Sequence, residues 1–325
     1  MRSVIVTGGC GYIGSHVARL FKLAGNKVYI IDRVKRDHTL KDIDGYFIDD
    51  FASEASLATI FDLCPDVIVH CAGTSLVGPS MTDPANYYEN NVVKTIALMN
   101  LIKGMDKKPI VMFSSSASVY GNPGNLPVNE HAPKHPISPY GSTKLTDEMI
   151  LNDYGRAYGI DTVIFRYFNA AGAEPDAFDL GQEPGATHIV ARVLEASILG
   201  RTFNLYGEDY DTEDGTCVRD YVHVWDIAIA HVKAAEFIEY HAWDRTAMNL
   251  TYNLGTNTGV SNRQIVDYVA DKYGLVGVNF SPRRPGDPAV LVADAKKAWD
   301  DIGWTPQFST IETIIDSAYK WYCRK

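Results

Sequence analysis

The stretch Thr7-Gly8-Gly9-Cys10-Gly11-Tyr12-Ile13-Gly14 follows the apolar run Val4-Ile5-Val6 and opens a helix-like segment from Tyr12 to about Leu23. A turn between a strand and a helix must reverse tightly, and glycine tolerates backbone angles that other residues resist. Missing side chains let a pyrophosphate approach the backbone, and the helix N-terminus offers N–H groups and the positive end of its dipole. Gly8, Gly11 and Gly14 are spaced G-x-x-G-x-x-G. A second strand, Lys27-Val28-Tyr29-Ile30-Ile31, follows and ends at Asp32. This strand–loop–helix–strand context turns a weak glycine pattern into a dinucleotide-binding signature. Asp32 lies 18 residues after Gly14. An acid there accepts hydrogen bonds from ribose hydroxyls and repels a 2′-phosphate, which favours NAD over NADP. Arg33, Lys35 and Arg36, next along the chain, read as a solvated basic loop.

Outward from this loop, strands and helices alternate. Asp44–Ile48, Asp66–Cys71, Pro109–Phe113 and Asp161–Arg166 read as strands. Segments 54–63, 84–103 and 138–158 read as helices, the second as one long helix with Val92, Ile96, Met99 and Ile102 at near-helical spacing. Short connections and alternation predict an α/β fold, a doubly wound parallel sheet of Rossmann type, with ligands beyond the carboxyl ends of its strands. Past Asn169 the pattern loosens. Residues 174–185 read as a loop; 187–199, 226–239, 261–273 and 311–322 read as helices, and 248–254 as a strand rejoining the sheet. The expected organisation is an NAD-binding domain over 1–169, joined by 222–258. A smaller mixed α/β C-terminal substrate lobe is expected from 170–221 and 259–325.

Composition narrows the function. A net charge of −10 argues against a nucleic-acid or anionic-membrane partner, so an anionic substrate needs a local group of arginines. No apolar run approaches the ~20 residues of a membrane span, and the first strand begins at once, so neither a signal peptide nor a membrane anchor is expected. Five scattered cysteines and nine histidines show no metal-ligand spacing, so no metal is expected and the compartment reads as cytoplasmic.

Tyr140-Gly141-Ser142-Thr143-Lys144 places Tyr140 and Lys144 on one face of a helix start. Free tyrosine, with a pKa near ~10, is a poor base at neutral pH. A nearby ammonium and an oxidised nicotinamide stabilise its phenolate, which then removes a proton from a substrate alcohol as hydride leaves the carbon. Ser116, at the end of the strand that runs into Ser114-Ser115-Ser116, shares that proton with Tyr140; Ser118 is a second candidate. Ser114 reads as serving the backbone or cofactor.

Val6–Ser15, Ser114–Gly121, Tyr140–Lys144, Arg166-Tyr167-Phe168-Asn169 and Thr212–His223 together resemble the extended short-chain dehydrogenase/reductases, and among them the UDP-glucose (UDP-galactose) 4-epimerases. The segment 212–224, TEDGTCVRDYVHV, is the most specific. The resemblance covers nearly the whole chain. It implies an isomerase that keeps NAD bound, oxidises a UDP-hexose at C4 to a 4-keto sugar, lets the sugar swing, and returns hydride to the other face. It implies catalytic roles for Ser116, Tyr140 and Lys144. Gly8, Gly11, Tyr12, Ile13, Gly14, Asp32, Asp50, Phe51, Cys71, Ala72, Gly73, Asn91, Ser114, Tyr140, Lys144 and Phe168 would line the cofactor. Ser116, Ser118, Tyr140, Asn169, His188, Ile189, Arg219, Arg284 and Leu291 would meet the substrate, the two arginines clamping its diphosphate. Leu291 falls where relatives admit or exclude a 2-acetamido group by bulk. Ser75 stands where many relatives carry a lysine, and the link from Asp32 to Asp50 is short for the family.

The alternatives are a sugar-nucleotide 4,6-dehydratase or decarboxylase on the same fold, and a dinucleotide sensor without catalysis. The first needs an acid–base pair that Ser116-Ala117-Ser118 lacks; the second has no use for Ser116, Tyr140 and Lys144 together. Relatives pair helices like 86–103 and 139–158 across a two-fold axis, so a homodimer is expected.

Overall fold

The computed structural model describes residues 1–35, 40, 42–176, 179–182, 185–241, 246–283 and 288–324. Its strands are β1 (Ser3–Thr7), β2 (Lys27–Asp32), β3 (Gly45–Ile48), β4 (Val67–His70), β5 (Ile110–Ser116), β6 (Thr162–Tyr167), β7 (Asn169–Ala171), β8 (Phe203–Tyr206), β9 (Val218–His223), β10 (Asn249–Leu254), β11 (Gly259–Ser261), β12 (Val278–Ser281) and β13 (Val290–Leu291). The helices are α1 (Tyr12–Leu23), α2 (Glu54–Leu63), α3 (Val77–Ser80), α4 (Pro84–Tyr87), α5 (Lys94–Gly104), α6 (Pro139–Tyr158), α7 (Ile189–Ile198), α8 (Val224–Tyr240), α9 (Asn262–Tyr273), α10 (Lys296–Ile302) and α11 (Ile311–Cys323). Among these residues no helix is long and apolar enough to cross a membrane.

Seven parallel strands stand in the order β10-β6-β5-β4-β1-β2-β3. The chain leaves β1 toward β2 and β3, then returns to β4 on the other side. This reversal opens a crevice beyond the ends of β1 and β4. Along β1, Val4 and Val6 pack with Phe21 and Ala234, while Ile5 packs with Leu98 and Ile164 on the opposite face. Both faces are buried, which is why the central strands read as unbroken apolar runs.

Local signals set the element that carries Tyr140 and Lys144. The Ser138 hydroxyl accepts from the Gly141 N–H at 3.1 Å, Pro139 occupies the first turn, and Gly159, at φ +68°, ends α6. The expected long helix over 84–103 is interrupted instead: Tyr88–Val93 forms a π-helical segment between α4 and α5. It carries Asn91, whose amide is engaged across the chain at Thr74 and Thr143.

A second body of structure combines β7, β9, β11 and β13 in one sheet and β8 with β12 in another. It packs α7, α9 and α11 around Val193, Leu194, Tyr221, Ile265 and Ile314. Most of its strands were missed by pattern reading. β7, β11 and β13 are three residues or fewer, too short to show a period. β9 carries Arg219 and Asp220 in its interior, against the expectation that strand interiors are apolar. Asp220 is buried because it accepts from Thr256, Asn257 and Ala293 and so ties the segments at 256–257 and 293 to β9.

Candidate active site

The crevice is a cleft of about 810 Å³ running from Asp32 and Asp50, past the glycine loop, to Tyr140, Arg219 and Leu291. At its first end, Gly8 sits at φ +70°, and a Cβ there would lie 2.7 Å from the backbone of Ala72. A Cβ on Gly14 would lie 2.3 Å from the Gly8 carbonyl oxygen. Only glycines let α1 abut the two strand ends this closely. Gly11, as N-cap, has no side chain to satisfy the first-turn N–H groups, and Tyr12, Ile13 and Gly14 line the cleft. This cradle suits a pyrophosphate. The Asp32 carboxylate accepts from the backbone N–H groups of Cys10 (3.0 Å) and Val34 (3.1 Å), which fixes it at the rim. Asp50 accepts from Lys94 Nζ at 2.5 Å and from the Ala52 N–H. Although burial alone raises its pKa, these donors hold it below the usual range. Phe51 and the loop Cys71-Ala72-Gly73 complete this wall.

At the other end, Ser116 closes β5 and Tyr140 opens α6, and both line the cleft. Burial pushes the Tyr140 phenol up to about 12, with the Ser116 hydroxyl acting in the opposite direction. Lys144 Nζ lies 4.6 Å from the Phe113 ring centroid and 6.0 Å from that of Tyr140. Burial lowers the Lys144 pKa, with Asp147 opposing that shift. The expected lowering of Tyr140 by Lys144 is not seen, because desolvation dominates at this tyrosine. Beneath them, Ser115 donates to Glu148 at 2.5 Å, and Glu148 takes both Nε (2.9 Å) and Nη2 (2.6 Å) of Arg166. This buried ion pair ties β5 and β6 to the helix that carries Tyr140 and Lys144.

The cleft brings together nearly all of the anticipated residues, including Ser118, Phe168, Asn169, His188, Arg219 and Leu291. Arg219 on β9 lies beside Leu291 on β13 in parallel register, and its guanidinium donates to the Val218 carbonyl at 2.9 Å. Asn91 and Ile189 differ from expectation, while Ser114 and Tyr12 line the cleft with their hydroxyls already engaged. Asn91 does not line the cleft; it braces the Gly73–Thr74 turn, accepting from Thr74 N–H at 2.8 Å, and reaches Thr143 at 3.0 Å. Ile189 faces a neighbouring cavity of about 190 Å³ with Arg192 and Asn204. Ser114 lines the wall, but its hydroxyl is engaged by Cys71 Sγ (3.1 Å) and by Tyr167, which reaches His231. Tyr12 spends its hydroxyl on the Gly172 carbonyl at 2.7 Å, tying α1 to β7. Arg284 lies outside the described residues.

Sequence reading missed Gln182, Thr187, Pro288, Leu76 and Tyr167 as cleft residues. Only Tyr167 carried a signal, lying between Arg166 and Phe168 at a strand end; the others sit on loops or a short helix without pattern. Among the described residues the cleft's carboxylates are Asp32, Asp49 and Asp50, all at the first end.

The family model described as GDP-mannose 4,6 dehydratase matches residues 5–317. A UDP-glucose 4-epimerase of Halalkalibacterium halodurans is 37% identical, over 98% of this chain and 95% of that one. The crystal structure of UDP-glucose 4-epimerase from Brucella ovis in complex with NAD superposes with a TM-score of 0.91 at 38% identity, covering 98% of each chain. The enzyme of Bifidobacterium longum in complex with NAD+ and UDP superposes with a TM-score of 0.90 at 34% identity, covering 99% of this chain and 98% of that one.

Proposed function

This chain belongs to the UDP-glucose 4-epimerase family, and from that premise we propose that it interconverts UDP-glucose and UDP-galactose through a 4-keto sugar. The observation that carries the reading is the single cleft that joins the glycine cradle to Ser116, Tyr140 and Lys144. The cradle fits a dinucleotide, since Gly8 and Gly14 let the N-terminus of α1 abut the strand ends and Gly11 leaves its first-turn N–H groups without a side-chain cap at the cleft. Bound NAD supplies the site that takes the C4 hydride and gives it back. Gly8 to Gly14 would hold its pyrophosphate, Asp32 its adenosine ribose, Asp50 and Phe51 its adenine, and Lys144 its second ribose.

Tyr140 takes the proton of the sugar 4-hydroxyl, with Ser116 sharing it, and returns it after the keto sugar has turned. A phenol held near 12 by burial keeps its proton until a cationic neighbour stabilises the phenolate, so the base is armed only in the loaded cleft. Phe168 packs the ring side of the site, Asn169 and Ser118 meet the sugar, and Arg219 meets the diphosphate with Arg284. His188 lines the cleft wall. The dehydratase reading needs a carboxylic acid near the reacting sugar, and the cleft's described carboxylates stand at the opposite end.

We assign the cofactor to residues 1–169 with 222–258 and the substrate to 170–221 with 259–325, although α10 and Trp304 pack against the first core. The exposed apolar residues Val93, Ile96 and Met149 on the 88–104 and 139–158 segments suit a homodimer contact. Five free cysteines suit a reducing cytoplasm. The test is turnover of UDP-galactose without added cofactor, after the bound nucleotide has been identified. Epimerised product and no net NADH are expected; stoichiometric NADH with an oxidised final product would overturn the assignment.

A further inference from the structure

Three side chains on α6 form one stripe. Tyr140 and Lys144 line the cleft, and Asp147, three residues past Lys144, continues the same face into the interior. Asp147 is fully buried, and neither carboxylate oxygen has a hydrogen-bond partner. The hydroxyl one turn earlier, on Thr143, is already spent: it donates to the Tyr140 carbonyl at 2.8 Å and accepts from Asn91. Glu148, the next residue, turns to Arg166 and Ser115 and leaves Asp147 its own surroundings. Lys144 forms no hydrogen bond or ion pair among the described residues, and Asp147, one turn on along the same face, acts on its ammonium through charge and not through direct contact. Buried polar groups without partners are rare because each is costly, and those that persist require an explanation.

We propose that Asp147 is a positioning residue for Lys144, a buried counter-charge that keeps the lysine an ammonium at the cleft. The proposal rests on the role given to Lys144 above. Its electrostatic surroundings agree. The groups around the pair are Tyr140 and Glu148 on the same helix, His70 and Cys71 from the β4 side, and Tyr87 from α4, packed edge-on to Tyr140 at 6.4 Å. Burial pushes the Asp147 carboxyl up to about 8, Lys144 draws it down, and Glu148 raises it further. At Lys144 burial works against the ammonium, and Asp147 is the largest influence in its favour. As pH rises and Asp147 ionises, the pair becomes carboxylate and ammonium, and the lysine holds its proton to higher pH than it would alone. The charge acts along the helix without touching substrate.

The test is the pH profile of kcat for UDP-galactose, measured on the NAD-loaded enzyme where chemistry limits turnover. In Asp147→Leu and Asp147→Asn the alkaline limb should move to lower pH by about one to three units, the range for loss of a nearby opposite charge. KM on the plateau should hold within about two-fold, because Asp147 does not line the cleft. Asp147→Glu should retain the parent limb. Leu has the branching of Asp and removes an unpaired polar group, so that variant should fold at least as well as the parent. An unmoved limb in both neutral variants, or an unfolded Asp147→Leu, would overturn the proposal. Lys144→Met separates the two readings. Near-parent turnover there removes the site assignment itself, whereas an inactive Lys144→Met with unmoved Asp147 limbs removes only the counter-charge.

Discussion

Glu148→Gln should destabilise the protein far beyond the value of an ordinary ion pair. Glu148 and Arg166 are both buried, and their carboxylate and guanidinium meet through two bonds of 2.9 and 2.6 Å. Removing one partner of such a pair leaves the other charge buried, which costs about 3–5 kcal/mol. Arg166 keeps two other acceptors, the Tyr120 hydroxyl at 2.8 Å and the Glu130 carbonyl at 3.1 Å. The guanidinium is therefore not stripped bare, and the loss should fall near the lower bound, about 3 kcal/mol. Urea unfolding followed by circular dichroism measures it. The partner experiment is Glu148→Leu with Arg166→Met, which removes both charges and should recover most of the loss. In the doubly substituted protein turnover should still fall, since Ser115 there loses its acceptor next to Ser116. A stability loss under about 1 kcal/mol in Glu148→Gln, the range of exposed pairs, would refute the claim that this pair anchors α6 to the sheet.

Tyr140→Phe should keep the fold and the bound nucleotide but lose about 10²–10⁴-fold in kcat, and Ser116→Ala should also slow the chemical step; near-parent turnover of Tyr140→Phe would show that another base acts. Arg219→Ala should weaken UDP-sugar binding by roughly 1.5–3 kcal/mol with the dinucleotide retained; unchanged affinity by calorimetry would remove its diphosphate role. Leu291 lines the cleft in register with Arg219, and leucine is shorter than tyrosine there, so the parent should accept UDP-N-acetylglucosamine and Leu291→Tyr should selectively lose it. Comparative turnover of the two sugars decides this, and a parent inactive on the acetamido sugar would rule it out.

The glycine loop, the apolar strands around it and the Tyr140–Lys144 spacing were legible along the chain because each is a local pattern. A period of two or three to four residues, a cap or a tight turn is dictated by neighbours in sequence. The fold class and redox chemistry on a hydroxyl followed from these, whereas the epimerase reaction and most of the cleft wall came from the family resemblance. The interruption at Tyr88–Val93 was not legible, since the apolar spacing through it stays close to that of a regular helix. The strand Val218–His223 was hidden by Arg219 and Asp220, whose partners come from loops more than thirty residues away. The diversion of Ser114 into the wall, and of Asn91 behind it, depended on Cys71, Tyr167, Thr74 and Thr143 arriving from other elements. Burial of Asp147 beside Lys144, and of Glu148 against Arg166, is of the same kind. In sequence they are two adjacent acids on a helix, and only the packing of α6 against the sheet takes them out of water. Sequence alone determined which chemistry this chain carries, because that chemistry is written in residue types at short spacing. Tertiary structure alone decided which groups are charged, engaged or free to act, because desolvation and hydrogen bonding depend on what the rest of the chain brings alongside.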